Sequence, residues 1–282
     1  MKEIFLLQLL GQINERNNLF TILRTRGEQA KPKGEIMADT NVKELLEAGS
    51  HFGHQTRRWN PKMRQYIFGA RGGVHIIDLT KTINYLNDAK KFAQETTENG
   101  GKILFVGTKR QARSIVRDEA TAAKMPYVTE RWLGGMLTNF RTIESRVKRL
   151  KELEKGLESG DFASKYNKKE VLDLTNEKDA LEKIFGGIRD MAVLPTAIFV
   201  VDTVRDEIAV NEARNLNIPV IAIVDTNSNP ELADYPIPAN DDAIKSIKLI
   251  TSQIAEAAST GAATYSKKAA EAPKDEVEAE SK

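Results

Sequence analysis

The chain of 282 residues contains no cysteine. Disulfides, thiolate zinc sites and a cysteine nucleophile are thereby excluded, and the composition suits a reducing cytosol. Histidine is scarce, with three residues, and aromatic residues make up 6%. No apolar run reaches the roughly 18 residues of a membrane helix. The opening "MKEIFLLQLL" joins a lysine to a short apolar run, but the polar "GQINERNNLF" follows where a small-residue cleavage site would stand. No signal peptide is therefore expected. The signatures of common enzymes are missing too. There is no G-x-x-x-x-G-K-[ST] loop, no G-x-G-x-x-G after a strand, no G-x-S-x-G elbow and no H-E-x-x-H helix.

Charge is present in quantity but unevenly spread. The formal net charge of +2 conceals a basic front half. Residues 52–100 hold eight Lys/Arg against four Asp/Glu, and residues 101–151 hold twelve against four. Residues 187–260 reverse the balance, with five against eleven. A basic half predicts a polyanionic partner better than the overall charge does.

Residues 1–36 read as an extension without a core of its own. "KPKGEIM" is encodable with a purine-rich ribosome-binding stretch just ahead of a Met codon, so Met37 is the expected start and residues 1–36 an early-start extension, disordered. "NVKELLEAGSHFGH" predicts a helix capped by Asn41, with Val42, Leu45, Leu46 and Gly49 on one face. "YIFGARGGVHIIDL" predicts a hairpin turning at "ARGG", and "TKTINYLNDAKKFAQETTENGG" an amphipathic helix. "KILFVGT", "TAIFVVDT" and "IPVIAIVDT" are continuous apolar runs, as strands buried on both faces must be. They alternate with the helical patterns "KRQARSIVRDEATAAK" and "VRDEIAVNEARNLN", which is the grammar of a parallel α/β sheet with helices on both faces. "DDAIKSIKLITSQIAEAAS" supplies a closing helix, with Ile244, Ile247, Ile250 and Ile254 along one side.

The α/β domain is thus expected over 37–142 and 187–261, interrupted by an antiparallel helical hairpin over 143–186. Ile143, Val147, Leu150, Leu153 and Leu157 mark its first helix, and Val171, Leu174, Leu181, Ile184 and Phe185 its second. Its largely charged faces predict that it projects from the body instead of joining the core. Residues 262–282, rich in Ala, Glu and Lys, are expected to be a disordered tail.

Two kinds of chemistry remain open. Asp202 and Asp225 end two strands, where open α/β sheets place ligands, and "FVGTKRQ" sets a glycine and two cations at a strand-to-helix turn. A small-ligand or nucleotide site at the strand ends is the alternative function. His51 and His54 would share a helix face and, with these aspartates, hold an ion, although two histidines fall short of a zinc ligand set. The aspartates also suit capping of the next helix. Neither a catalytic group, a metal nor a cofactor is expected.

The basic segments form the stronger pattern. In "HFGHQTRRWNPKM", Arg57, Arg58 and Lys62 flank Trp59, joining phosphate partners to a stacking ring. Lys109, Arg113 and Arg117 recur every four residues and predict one cationic stripe, with Arg110 beside it. "ERWLGGMLTNFRT" adds Arg131, Trp132, Asn139 and Arg141, and Lys148 carries charge onto the hairpin. So dispersed a surface suits structured RNA, whose deep major groove side chains do not read. A scaffold that binds only proteins through the hairpin is the third reading.

"VKELLEAGSHFGHQTRRWNPKM", "YIFGARGGVHIIDL", "FVGTKRQA", "RWLGGMLTNF" and "PTAIFVVDTVRDEIAVNEARNLNIPVIAIVDTNSNP" resemble, in order, the bacterial family of ribosomal protein two of the small subunit. The resemblance runs from about 37 to about 260. It implies a flavodoxin-like α/β/α sandwich with a coiled-coil hairpin and no enzymatic activity. It implies small-subunit ribosomal RNA and neighbouring ribosomal proteins as partners, including the large messenger-binding one, and a place in the cytoplasmic ribosome. No membrane and no small-molecule substrate are implied.

Overall fold

The computed structural model describes residues 41–271. The expectations for residues 1–36 and for 272–282 lie outside this range. Five strands form an all-parallel sheet: β4 (Ile103–Val106), β5 (Tyr127–Val128), β6 (Ala197–Val200), β7 (Val220–Val224) and β8 (Tyr235–Pro238). Their spatial order, β5-β4-β6-β7-β8, is the flavodoxin-like doubly wound order. Residues of β4, β6 and β7 are buried on both faces, which is why their sequences show no alternation.

The two faces are covered differently. Leu104, Val106, Ile198, Val200, Val220, Ala222 and Val224 join one core cluster with Ala209, Val210 and Ala213 of α7 (Glu207–Asn215). Alternation places Phe105 and Phe199, ring centroids 5.3 Å apart, on the other face. Three further helices belong to this architecture: α2 (Leu79–Glu98), α3 (Arg113–Ala122) and α8 (Ile244–Glu271), with α8 packed against both others.

A small antiparallel sheet precedes these elements. It has the order β1-β3-β2, from β1 (Phe52–Gln55), β2 (Ile67–Arg71) and β3 (Val74–Ile77). The β2–β3 loop is Gly72–Gly73, both at positive φ (58° and 77°), the backbone a two-residue type I′ turn requires. Gly53 in β1 has a different purpose. A Cβ there would lie 2.5 Å from Thr226 Cγ2, so only glycine lets β1 approach the turn after β7 this closely.

The helix expected through His54 stops early. α1 spans Val42–Glu47, capped by the Asn41 side chain, and Gly49 at φ 76° turns the chain into β1. The hairpin is formed by α4 (Phe140–Glu158) and α6 (Lys168–Phe185), joined through the short α5 (Asp161–Lys165). Its base does not stand clear of the body. Ile143, Val147, Leu150, Phe185 and Ile188 belong to the same core cluster as the sheet, because the apolar stripe is continuous there. Farther out, Leu172 is exposed. At the other end, α8 continues ten residues past the expected end at 261. Gly261 seats it so close to α2 that a Cβ would meet Thr97 Oγ1 at 2.1 Å, and Tyr265 covers Gly100. Packing on α2 and alanine-rich composition keep this segment helical.

Candidate nucleic-acid interface

The carboxyl ends of the parallel strands form one edge, and the basic segments gather there. "TRRWNPK" reaches it because Asn60 N–H donates to Thr226 O at 2.7 Å, just past β7. His54 N–H donates to Thr226 Oγ1 at 2.8 Å. Lys109 and Arg110 follow β4, Arg131 follows β5 and Arg205 follows β6.

Beneath this edge lies an ionic cluster. Lys109 Nζ is 3.2 Å from Asp202, 2.7 Å from Asp241 and 2.6 Å from Asp242. Burial works against its ammonium, but the three carboxylates outweigh burial and hold its pKa above the usual lysine value. Asp202 Oδ1 also accepts from the N–H groups of Val204 and Arg205, both at 2.9 Å, and so caps the turn ahead of α7 and not the helix itself, whose N-cap is Asp206. Thr108 donates to Asp206 through both its N–H, at 3.2 Å, and its hydroxyl, at 2.7 Å. Burial pushes the Asp206 carboxyl up despite these bonds.

His54 joins the cluster from β1. Its Nδ1 lies 3.1 Å from Asp225 and its Nε2 3.5 Å from Asp242. The bond to Asp225 raises its pKa above that of a free imidazole. His51 is elsewhere: buried, tilted against Phe52 at 4.0 Å, and lowered by burial. Two residues three apart at a strand do not share a face, so the expected four-residue set does not assemble. The closest approach to a ligand set among the described residues is His54, Asp225 and Asp241. There the Lys109 ammonium already supplies the cation.

The "RWLGGMLTNF" loop is organised by one carboxylate. Glu212, on the buried side of α7, accepts from the Trp132 indole at 3.1 Å. It also accepts from the N–H groups of Gly135, Leu137 and Thr138 at 2.7, 3.0 and 3.0 Å, and from the Thr138 hydroxyl at 3.0 Å. Burial would raise its pKa, but these donors more than offset that and hold it low. Sequence reading missed Glu212. Its signal was an acid three residues after Ala209, on a face otherwise filled by Ala209, Val210 and Ala213.

The predicted cations fall into two classes. Lys109, Arg113 and Arg117 do not form the expected stripe, because α3 begins only at Arg113 and Lys109 is drawn inward. Arg113 folds back onto Glu130, with Nη1 at 2.8 Å from its carboxylate and Nη2 at 3.0 Å from its carbonyl, while Nε donates to Thr108 O at 3.0 Å. Arg117 contacts neighbouring Asp118 at 3.1 Å. Lys62 pairs with Glu231, and Lys148 with Glu144 at 2.9 Å. By contrast, Arg58, Arg110, Arg131 and Arg141 are exposed and make no ion pair with a described residue. Arg57 is exposed and donates only to Gln55 Oε1, at 2.9 Å. Trp59 is half-buried, its ring 5.2 Å from His75. Asn139 immediately precedes α4 and accepts from the Thr142 hydroxyl at 2.9 Å.

Known proteins resemble this chain closely. A family model described as ribosomal protein S2 matches residues 45–261. The small ribosomal subunit protein uS2 of Mycolicibacterium gilvum is 56% identical over 225 residues, covering 80% of this chain and 80% of that protein. The uS2 of Mycobacterium ulcerans is 57% identical over 225 residues, covering 80% of this chain and 81% of its own. That of Nocardia farcinica is 56% identical over 225 residues, covering 80% and 79%. The extent of the family match, together with identity at this level, shows that the chain belongs to the ribosomal protein S2 family.

Proposed function

We propose that this protein, as an S2-family member a structural and non-enzymatic constituent of the small ribosomal subunit, holds structured ribosomal RNA on the carboxyl edge of its sheet. Its place is the cytoplasmic ribosome, with neighbouring ribosomal proteins, the messenger-binding one among them, as further partners. The carrying observation is the separation of charge at that edge. Arg57, Arg58, Arg110 and Arg131 are exposed without a carboxylate partner among the described residues, while Asp202, Asp225 and Asp241 are buried below them. Acids that are buried and bound to Lys109 and His54 oppose an incoming phosphate less than exposed ones would. Free guanidinium forks suit phosphate oxygens.

The test is the affinity of the full chain for small-subunit ribosomal RNA across a salt series, with an unrelated structured RNA as control. Changing Arg57, Arg58 and Arg110 to Ala is expected to weaken binding and to flatten the dependence on log salt by roughly one unit per lost phosphate contact. Unchanged affinity and slope would overturn the choice of surface.

A further inference from the structure

One cavity at the same edge is built differently from the open basic surface. It is an open cleft of about 430 Å³ lined by Thr108, Arg113, Glu130, Arg131, Trp132, Arg205, Asp206 and Ile208. It spans the ends of β4 and β6, where the strand order of a flavodoxin-like sheet reverses and open α/β sheets leave their crevice. Three guanidinium groups and two carboxylates line it, so one guanidinium is in excess, and internal hydrogen bonds occupy several of these groups while Asp206 keeps its charge near Arg205. Arg113 is matched by Glu130. Asp206 is occupied by Thr108. Arg205 uses Nε on the Thr108 hydroxyl at 3.1 Å, leaving both terminal nitrogens without a partner among the described residues. Arg131 has none there either. Two donor forks therefore face the cavity unpaired. Ile208, also in the lining, is 57% exposed. The volume lies in the range of small-molecule pockets.

We propose that this cavity is a phosphate site, in which Arg131 and Arg205 grip the oxyanion of a phosphate ester and Ile208 lies against the attached sugar or base. A guanidinium fork matches two phosphate oxygens at once, a geometry that an ammonium does not reproduce. The phosphate is either a unit of the RNA backbone, in which case the site deepens the RNA reading and rests on it, or that of a free mononucleotide. Arg205 lies outside the basic segments on which the RNA reading was built, within the acidic part of the chain. Arg131 belongs to both readings, so Arg205 on one side and Arg57 and Arg58 on the other let the two fail separately.

The experiment uses the full chain and three probes: adenosine monophosphate, small-subunit ribosomal RNA, and polyglutamate of matched charge. Circular dichroism confirms that each variant is folded. In wild type, the mononucleotide is expected to bind and to compete with RNA. Arg205→Lys, which keeps the charge and removes the fork, is expected to weaken mononucleotide binding at least fivefold. The pair Arg131→Gln with Arg205→Gln is expected to weaken it more than tenfold and to lower the salt slope of RNA binding by about two units. Arg57→Ala with Arg58→Ala is expected to lower the RNA slope and leave the mononucleotide unaffected. Mononucleotide binding that depends on Arg205 without competing with RNA would support the site and assign it to a free nucleotide. Absent mononucleotide binding, with an RNA slope indifferent to Arg131 and Arg205 but sensitive to Arg57 and Arg58, would overturn the cavity and leave the RNA surface standing. Equal capture of polyglutamate would also overturn it, in favour of an acidic protein partner.

Discussion

At the scale of single residues, the polar groups that matter most are the ones the solvent does not see. Glu212 satisfies three backbone N–H groups, an indole and a hydroxyl at once. Glu212→Ala strands several buried donors, each costing about 1–3 kcal/mol when unmade. A loss of about 3–5 kcal/mol in urea unfolding is expected, with weaker RNA binding because Arg131 sits on the same loop. A loss below about 1 kcal/mol would mean that the loop is held otherwise. Lys109→Met leaves Asp202, Asp241 and Asp242 facing one another, and breaking a buried pair in this way costs about 3–5 kcal/mol. Read as an RNA contact, Lys109 would instead lower affinity and leave stability intact.

Asp241 ties stability to pH. Burial, then the charges of Asp202 and Asp225, push its carboxyl up to about 7. Its Oδ2 is buried without a hydrogen-bond partner, which favours a proton there. Unfolded, it titrates near its ordinary value of about 4. Between these values the folded state binds more protons than the unfolded state, so this group's contribution falls as pH rises towards 7. His54, raised by Asp225, acts in the same direction: its stabilisation is full below about 6.5 and is lost as pH climbs through its folded value. His51, lowered by burial, opposes both. The clean measurement is therefore Tm of wild type minus Tm of Asp241→Asn. That difference is expected to fall between pH 5 and pH 8, and a rise would refute the assignment.

At the scale of elements, periodicity revealed what packs on one face and little of what a side chain meets across space. The apolar runs of β4, β6 and β7 and the face of α8 were legible because burial imposes composition directly. Ile244, expected on that face, is 60% exposed, since it is the first residue of the helix, ahead of the buried Ile247, Ile250 and Ile254. The Lys109–Arg113–Arg117 spacing suggested a helical period that fails at Lys109, which precedes the helix, and a period carries no information about Asp241, 132 residues away. For the same reason Arg58 and Arg110, whose exposure fits an interface, and Lys109, which anchors the fold, looked alike in sequence. The hairpin was legible as two helices, while its seat in the core was not, because charge between the apolar positions masked a stripe that becomes fully buried at Leu150. A contrast tests this division. Leu150→Ala is expected to cost about 2–5 kcal/mol and Leu172→Ala less than about 0.5 kcal/mol. Equal losses would show that the hairpin buries its full length.

At the scale of the whole molecule, charge is layered. A basic front half and an acidic back half meet at the carboxyl edge, with Asp202, Asp225 and Asp241 buried and the guanidinium groups outside. Steering of a polyanion by this arrangement is expected to speed association at low salt and to lose that advantage as the ionic strength approaches the physiological range. Stopped-flow association rates between 50 and 200 mM salt measure it. A rate independent of salt would mean that the outer cations do not guide the encounter.

The contacts that build this edge also span the chain. His54 N–H reaches Thr226 across 172 positions, Lys109 reaches Asp241 across 132, and Thr108 reaches Asp206 across 98. A chain emerging from its amino end therefore carries its cations long before it carries the residues that set them in place. Until Asp241 and Asp242 have been made, Lys109 lacks two of its three carboxylate partners, and Asn60 has only just gained Thr226. On the RNA reading proposed above, the edge is thus a certificate of completion: a nascent or truncated protein carries the charge that attracts a polyanion before it carries the residues that set that charge in place.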